Sequence, residues 1–186
     1  RMIPNIVIMA PSDENELQNM LKTALSINQP VAIRYSRGEG TGVKLEKDIK
    51  IIPVGKSEII KDGKDLFILS VGDLVSVSVS VAKILQSENI SCGVVNVRFV
   101  KPLDIDLIKN ISKKIKRIVT VEENVISGGF GSAVCELLSD SDVKIHTIGL
   151  PDKFVEHGRQ NEIRKKYGLT ENEIHANIKE WLKKSG

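Results

Sequence analysis

No apolar run in this sequence is long enough to cross a bilayer. The longest uninterrupted ones, residues 6–10 and 66–69, fall far short of the roughly 20 residues that a spanning helix needs. Cysteine is nearly absent too. Cys92 and Cys135 lie in apolar segments without CxxC spacing, which excludes a disulfide scaffold and predicts two reduced core thiols in a cytoplasmic protein. Aromatic residues are scarce, with one Trp, two Tyr and four Phe, so the core has to be aliphatic. Neither sign of charge dominates: the net charge is +3 and acids alternate with bases along most of the chain, which leaves no footprint for nucleic acid. A charged-then-apolar leader is missing, and the chain opens at Arg1 rather than at methionine, the start expected of a fragment or a processed protein.

What is present is an ordinary globular balance, 41% hydrophobic and 27% charged over 186 residues, enough for one domain or one and a fraction. Residues 6–10 and 31–35 read as strands on either side of an amphipathic helix. In that helix Leu17, Met20, Leu21, Ala24 and Leu25 recur at helical spacing, and Asp13 with Glu16 has the pattern of a capping box. The stretch 36–55 carries four glycines, a proline and mixed charge, and it reads as a linker. Beyond it the pattern becomes a regular alternation, with strands expected near 66–71, 93–99, 117–122 and 143–148. Helices are expected near 73–88, 104–115, 128–139, 159–167 and 171–184, the last capped by Thr170 and striped by Ile174, Ile178, Trp181 and Leu182. This order predicts an α/β fold, a mostly parallel sheet flanked by helices on both faces. One segment competes with the scheme. Val75, Val77, Val79 and Val81 alternate with serines, the period of a strand, yet a parallel crossover is required there, and the segment is assigned as helix.

Chemistry-bearing motifs are few. His146, His157 and His175 are scattered and read as structural, with no metal-ligand spacing. No nucleophile elbow, Walker loop or zinc motif occurs. Two features stand out. Gly128-Gly129-Phe130-Gly131-Ser132 follows a strand and opens a helix, where free backbone N–H groups either hold an anion or serve only a tight turn. Glu122 and Glu123 lie just upstream and would repel a phosphate. Arg34 and Arg37 flank the end of the second strand, at Arg34-Tyr35-Ser36-Arg37-Gly38, a usual position for ligand contacts at a sheet's carboxyl edge. A guanidinium there either ends in a surface ion pair or clamps a phosphate with two charge-assisted bonds. The basic runs at 113–117, 164–166 and 183–184 read as solvated helix faces.

The stretch Ile3-Pro4-Asn5-Ile6-Val7-Ile8-Met9-Ala10-Pro11-Ser12-Asp13-Glu14-Asn15-Glu16, followed by Arg34-Tyr35-Ser36-Arg37-Gly38, resembles the 1-deoxy-D-xylulose-5-phosphate synthases, a family of transketolase-like thiamine-diphosphate enzymes. Lys101-Pro102-Leu103-Asp104, Glu122-Glu123-Asn124, Gly128-Gly129-Phe130-Gly131-Ser132 and Gly149-Leu150-Pro151-Asp152 resemble that family's last domain, and the resemblance spans essentially the whole chain. It implies a division into residues 1–37, the end of a pyrimidine-binding domain; 38–55, a linker; and 56–186, a transketolase-like carboxyl-terminal domain. It also implies condensation of pyruvate with glyceraldehyde 3-phosphate, with loss of carbon dioxide, on thiamine diphosphate and Mg2+, in a cytoplasmic homodimer that feeds isoprenoid synthesis.

The family's Gly-Asp-Gly metal motif and its activating glutamate have no counterpart here. The chain alone is therefore expected to bind neither cofactor nor metal, to carry no catalytic residue and to be inactive without the upstream remainder of the enzyme. Arg37 matches the second arginine of the family's Arg-Tyr-Pro-Arg-Gly motif, which resembles a clamp for the phosphate of the aldehyde substrate; Ser36 stands where proline is usual. Two other readings remain open: a stand-alone regulatory or interaction domain whose 128–132 turn binds an anion, and part of a transketolase or of a pyruvate dehydrogenase beta subunit.

Overall fold

Strands β4 (Leu66–Ser70) and β5 (Cys92–Asn96) are buried at every position, the signature of strands covered on both faces. They lie at the heart of a five-stranded sheet in a computed structural model, which describes residues 1–184. Alternate residues explain the double cover, because successive side chains on a strand point to opposite faces. Leu66 and Ile68 meet Leu74, Val81 and Leu85 of helix α2 (Leu74–Ser87) and Ile174 and Ile178 of helix α6 (Glu171–Lys184). Phe67 and Leu69 meet Ile108 and Ile111 of α3 (Ile105–Lys114) and Phe130 and Val134 of α4 (Phe130–Leu137).

The sheet continues through β7 (Arg117–Val125) and β8 (Lys144–Leu150), so that β5, β4, β7 and β8 run parallel. At the other edge β3 (Glu58–Lys61) adds an antiparallel strand beside β5, one that the hydrophobic pattern does not announce. Its first three positions are exposed and its ends are charged, as suits a short edge strand that resists pairing with other chains. A short helix α5 (Gln160–Lys166) precedes α6.

The amino-terminal unit consists of β1 (Val7–Met9), α1 (Glu14–Ser26) and β2 (Val31–Ile33), with β1 and β2 parallel. A third strand comes from elsewhere. Residues 93–99, expected as one strand, break after Asn96; Arg98 takes φ +60, and β6 (Phe99–Lys101) turns away to pair antiparallel with β1. Below the break, Glu16 of α1 accepts hydrogen bonds from Asn96 Nδ2 at 2.9 Å and Arg98 Nε at 2.6 Å. The small sheet is thus pinned to the large one by a buried carboxylate whose oxygens are all engaged, the condition under which such a group is tolerated.

At the start of α1, Asp13 accepts from Glu16 N as a capping box requires, but Glu16 reaches back to the N–H of Ser12 rather than to that of Asp13. The segment 38–55 has no helix or strand and runs along α1, fastened by a ladder of side chains four residues apart. Asn15 binds the Lys44 carbonyl and Glu46 N–H, Asn19 the Lys50 N–H, and Thr23 the Ile52 N–H.

The Val/Ser segment is helical, as the crossover demands. The hydroxyls of Ser76 and Ser78 donate back to the carbonyls of Asp73 and Leu74. They are thereby satisfied within the helix, and Ser78 can be fully buried.

Cys92 lies in the core as expected, but Cys135 does not: α4 buries Phe130, Ala133 and Val134 and turns the next residue to solvent. Burial pushes the Cys92 thiol up to about 12. A maleimide titration at pH 7.5 should therefore modify one thiol in the folded protein and a second only after denaturation. Two fast-reacting thiols would contradict this packing. Among the described residues no helix is long and apolar enough to cross a membrane.

Candidate functional site

From β4 the chain crosses through α2 to β5 on one side, whereas from β7 it crosses through α4 to β8 on the other. The carboxyl ends of β4 and β7 therefore flank the point at which the winding reverses, the usual ligand crevice of an open α/β sheet. The turn after β4 needs Gly72, which takes φ +72, and it delivers Asp73 to the start of α2. On β7 the adjacent residues Glu122 and Glu123 point to opposite faces, which gives the two acids different roles.

Glu122 turns under α4. Its two oxygens accept from the N–H groups of Phe130 and Gly131, each at 2.8 Å, and the residue is 1% exposed. The 128–132 turn thus does hold an anion, but the anion is the chain's own carboxylate, which occupies the helix terminus on which the stand-alone anion-binding reading depended. Gly129 has no room for a side chain, since a Cβ there would lie 2.3 Å from the Val125 carbonyl oxygen and 2.5 Å from Glu122. Burial raises the Glu122 pKa above the usual carboxylate value, and the two N–H donors only partly oppose it.

Glu123 turns into the crevice. It accepts from Arg164 Nε at 2.7 Å and from the Ser36 hydroxyl, while Arg34 Nη2 lies 3.8 Å from its carboxylate and donates to its backbone carbonyl. Burial alone would raise its pKa, but the bonds from Arg164 and Ser36 outweigh that effect and the value is lowered. Arg164 bridges a second carboxylate through Nη2, that of Asp73, and the Ser36 hydroxyl stands 3.1 Å from the same group. A hydroxyl has one proton, so Ser36 donates to one of the two acids at a time. The network borders a cleft of about 310 Å³ that Tyr35, Gly38 and Gln160 also line.

Arg37, the sequence-predicted ligand residue, follows this knot directly. It is exposed, and among the described residues no hydrogen bond or ion pair engages its guanidinium. It lines a neighbouring groove of about 350 Å³ together with Arg34, Glu123, His157 and Gln160.

The sequence reading missed Asp73, Ser36, Glu123 and Arg164 as a unit. Arg164 was expected on a solvated basic face, yet its side chain is only 13% exposed; α5 is too short to bury an apolar stripe, and this guanidinium anchors it instead. Of the histidines, His146 stacks on Trp181 with ring centroids 5.4 Å apart, and His175 Nε2 lies 3.1 Å from Glu88. Both fasten α6. Among the described residues no three His, Cys, Asp or Glu side chains gather as a metal site would require.

The comparisons with known proteins agree with this architecture. Residues 55–174 match the family described as transketolase, C-terminal domain, and residues 1–42 match the transketolase pyrimidine binding domain. The chain is 49% identical over 173 residues to the 1-deoxy-D-xylulose-5-phosphate synthase of Desulforudis audaxviator, covering 91% of this chain and 27% of that protein. It is 47% identical over 177 residues to the enzyme of the same name from Halothermothrix orenii, covering 94% of this chain and 28% of that protein. It therefore spans little more than a quarter of the length of these relatives, and it aligns with their carboxyl-terminal part. Among solved structures, a split gene transketolase described as an inactive beta4 tetramer superposes with a TM-score of 0.88 at 31% identity, over 97% of this chain and 59% of that one. With the carboxyl-terminal domain match alone covering well over half of its residues, the chain belongs to the transketolase family.

Proposed function

We propose that this chain is the carboxyl-terminal part of a 1-deoxy-D-xylulose-5-phosphate synthase, which condenses pyruvate with glyceraldehyde 3-phosphate with loss of carbon dioxide and supplies isoprenoid precursors. The observation that carries the reading is the near-half identity to enzymes of that name along more than nine-tenths of the chain. In this reading residues 1–37 end the pyrimidine-binding domain, 38–55 link, and 56–186 form the third domain of a cytoplasmic homodimer.

Arg37 binds the phosphate of the aldehyde. It stands unpaired on the rim of a groove beside the sheet's switch point, where a doubly charged group gains two charge-assisted bonds remote from the reacting carbonyl. Thiamine diphosphate and Mg2+ belong to the complete enzyme. Within this chain the glycine turn 128–132, which could receive an anion at a helix terminus, is filled by Glu122. The chain's contribution is to bind and orient the substrate phosphate.

The chain alone and the chain joined to its upstream domains should be assayed side by side with both substrates, thiamine diphosphate and Mg2+. Release of carbon dioxide that needs pyruvate and the aldehyde together, from the joined enzyme only, is the expected result; turnover by the isolated chain, or a joined enzyme that does not use this substrate pair, would refute the proposal. The likeness to an inactive beta4 tetramer supports inactivity of such a chain on its own.

A further inference from the structure

Every carboxylate and guanidinium that lines the Arg37 groove, other than Arg37 itself, is engaged. Glu156 is held by Lys166 and by the Tyr167 hydroxyl at 2.6 Å. Glu123 is held by Arg164, Ser36 and Arg34, and Asp73, behind it, by Arg164 and Ser36. Two carboxylates, Asp73 and Glu123, are thus balanced by two guanidinium groups, Arg34 and Arg164, and none of this charge is left to Arg37.

We infer that Arg164 is a positioning residue for Arg37: by bridging Asp73 and Glu123 it holds the turn that carries Arg37 and keeps both acids from capturing its guanidinium. The inference rests on the proposed phosphate contact of Arg37. Two features of the geometry support it. The grip is adjacent to its object, since Ser36, whose hydroxyl lies within hydrogen-bond reach of the same two acids and donates to one of them at a time, is the residue before Arg37. The bridge also requires a guanidinium, because Nε serves Glu123 and Nη2 serves Asp73, whereas an ammonium is a point charge without a fixed fork. If Arg164 is removed, the acids gain an excess negative charge, and Glu123 lines the same groove as Arg37. Arg37, on the same groove and without a partner among the described residues, is then open to capture by these acids, and an internal ion pair competes with the incoming phosphate.

The test is a double-mutant cycle in the complete enzyme, with KM and kcat measured for glyceraldehyde 3-phosphate and for unphosphorylated D-glyceraldehyde. Arg164→Met should raise KM for the phosphorylated aldehyde about tenfold, with kcat and the D-glyceraldehyde KM within about twofold. Arg164→Lys should recover part of the loss. In Arg37→Ala the further change Arg164→Met should add nothing, because a residue that acts through another has no effect once that other is gone. Additive losses, or equal increases for both aldehydes, overturn the inference while leaving the Arg37 contact standing. An Arg37→Ala enzyme that retains the normal KM for the phosphorylated aldehyde refutes the contact itself. If Arg164→Met does not fold, Ser36→Ala, which removes one hydroxyl, carries the same test: about a threefold effect absent in the Arg37→Ala background supports positioning, and one that persists there refutes it.

Discussion

Replacing Arg37 by alanine in the complete enzyme is expected to raise KM for glyceraldehyde 3-phosphate by roughly thirty- to a hundredfold and to leave KM for pyruvate within about twofold. A hydrogen bond to a charged group contributes about 1.5–3 kcal/mol, and a guanidinium can present two to one phosphate. Full additivity would exceed the expected loss, but Arg37 is exposed, and water screens an open site. A net loss of about 2–3 kcal/mol corresponds to the stated range. Arg37→Lys should retain part of the affinity through charge alone, with greater sensitivity to salt, since a point charge lacks the bidentate geometry. The selectivity between substrates is the decisive quantity. Pyruvate has no phosphate, so an equal rise in both KM values would move Arg37 from the substrate to the scaffold.

The parts of this molecule legible in its sequence are those set by one local rule. The run of apolar residues in β4, the stripe of α6 and the cap of α1 each follow from a period or a cap, and the structure has them all. The Val/Ser helix was legible only with topology added, because its own period favours a strand; the crossover and the serine back-bonds decide it. Less visible are features set by two distant segments together. The break at Arg98 depends on Glu16, 82 residues away, and the ladder from α1 to residues 44–52 gains its meaning only when the partner backbone lies alongside. A signal for that ladder existed in Asn15, Asn19 and Thr23, polar side chains at successive intervals of four. At the site, Arg37 was visible through its motif, but Arg164 was hidden in a basic run. Composition cannot tell a solvated guanidinium from one that bridges two acids, since both look alike until the fold brings Asp73 and Glu123 within reach.

A large loss of stability is expected from Glu122→Ala, about 3–4 kcal/mol by chemical denaturation at 25 °C, because the N–H groups of Phe130 and Gly131 would be buried without an acceptor. Glu122→Gln should cost less, about 1–2 kcal/mol, since an amide has a single acceptor oxygen for two donors. The pH dependence separates the acceptor's contribution from that of its charge. The Glu122 pKa is raised in the folded state from 4.5, chiefly by burial, so the folded chain holds this proton more tightly than the unfolded chain does. Its stabilisation is therefore fully present below the unfolded value and is lost as pH rises through the folded one. Glutamine does not titrate, so the gap between wild type and Glu122→Gln should narrow as pH rises above 4.5; a widening gap would show that the ionised carboxylate is the stabilising form. Glu123 has the opposite sign: its lowered pKa gives stability above its unfolded value that is lost as pH falls through the folded one. Glu123→Gln should accordingly approach wild-type stability in acid. The two neighbours thus titrate against each other, one securing the helix behind β7 and the other the arginine network in front of it. Loosening Glu122 should also weaken the selectivity for phosphorylated aldehyde, because the strand that seats Glu123 would lose its backing.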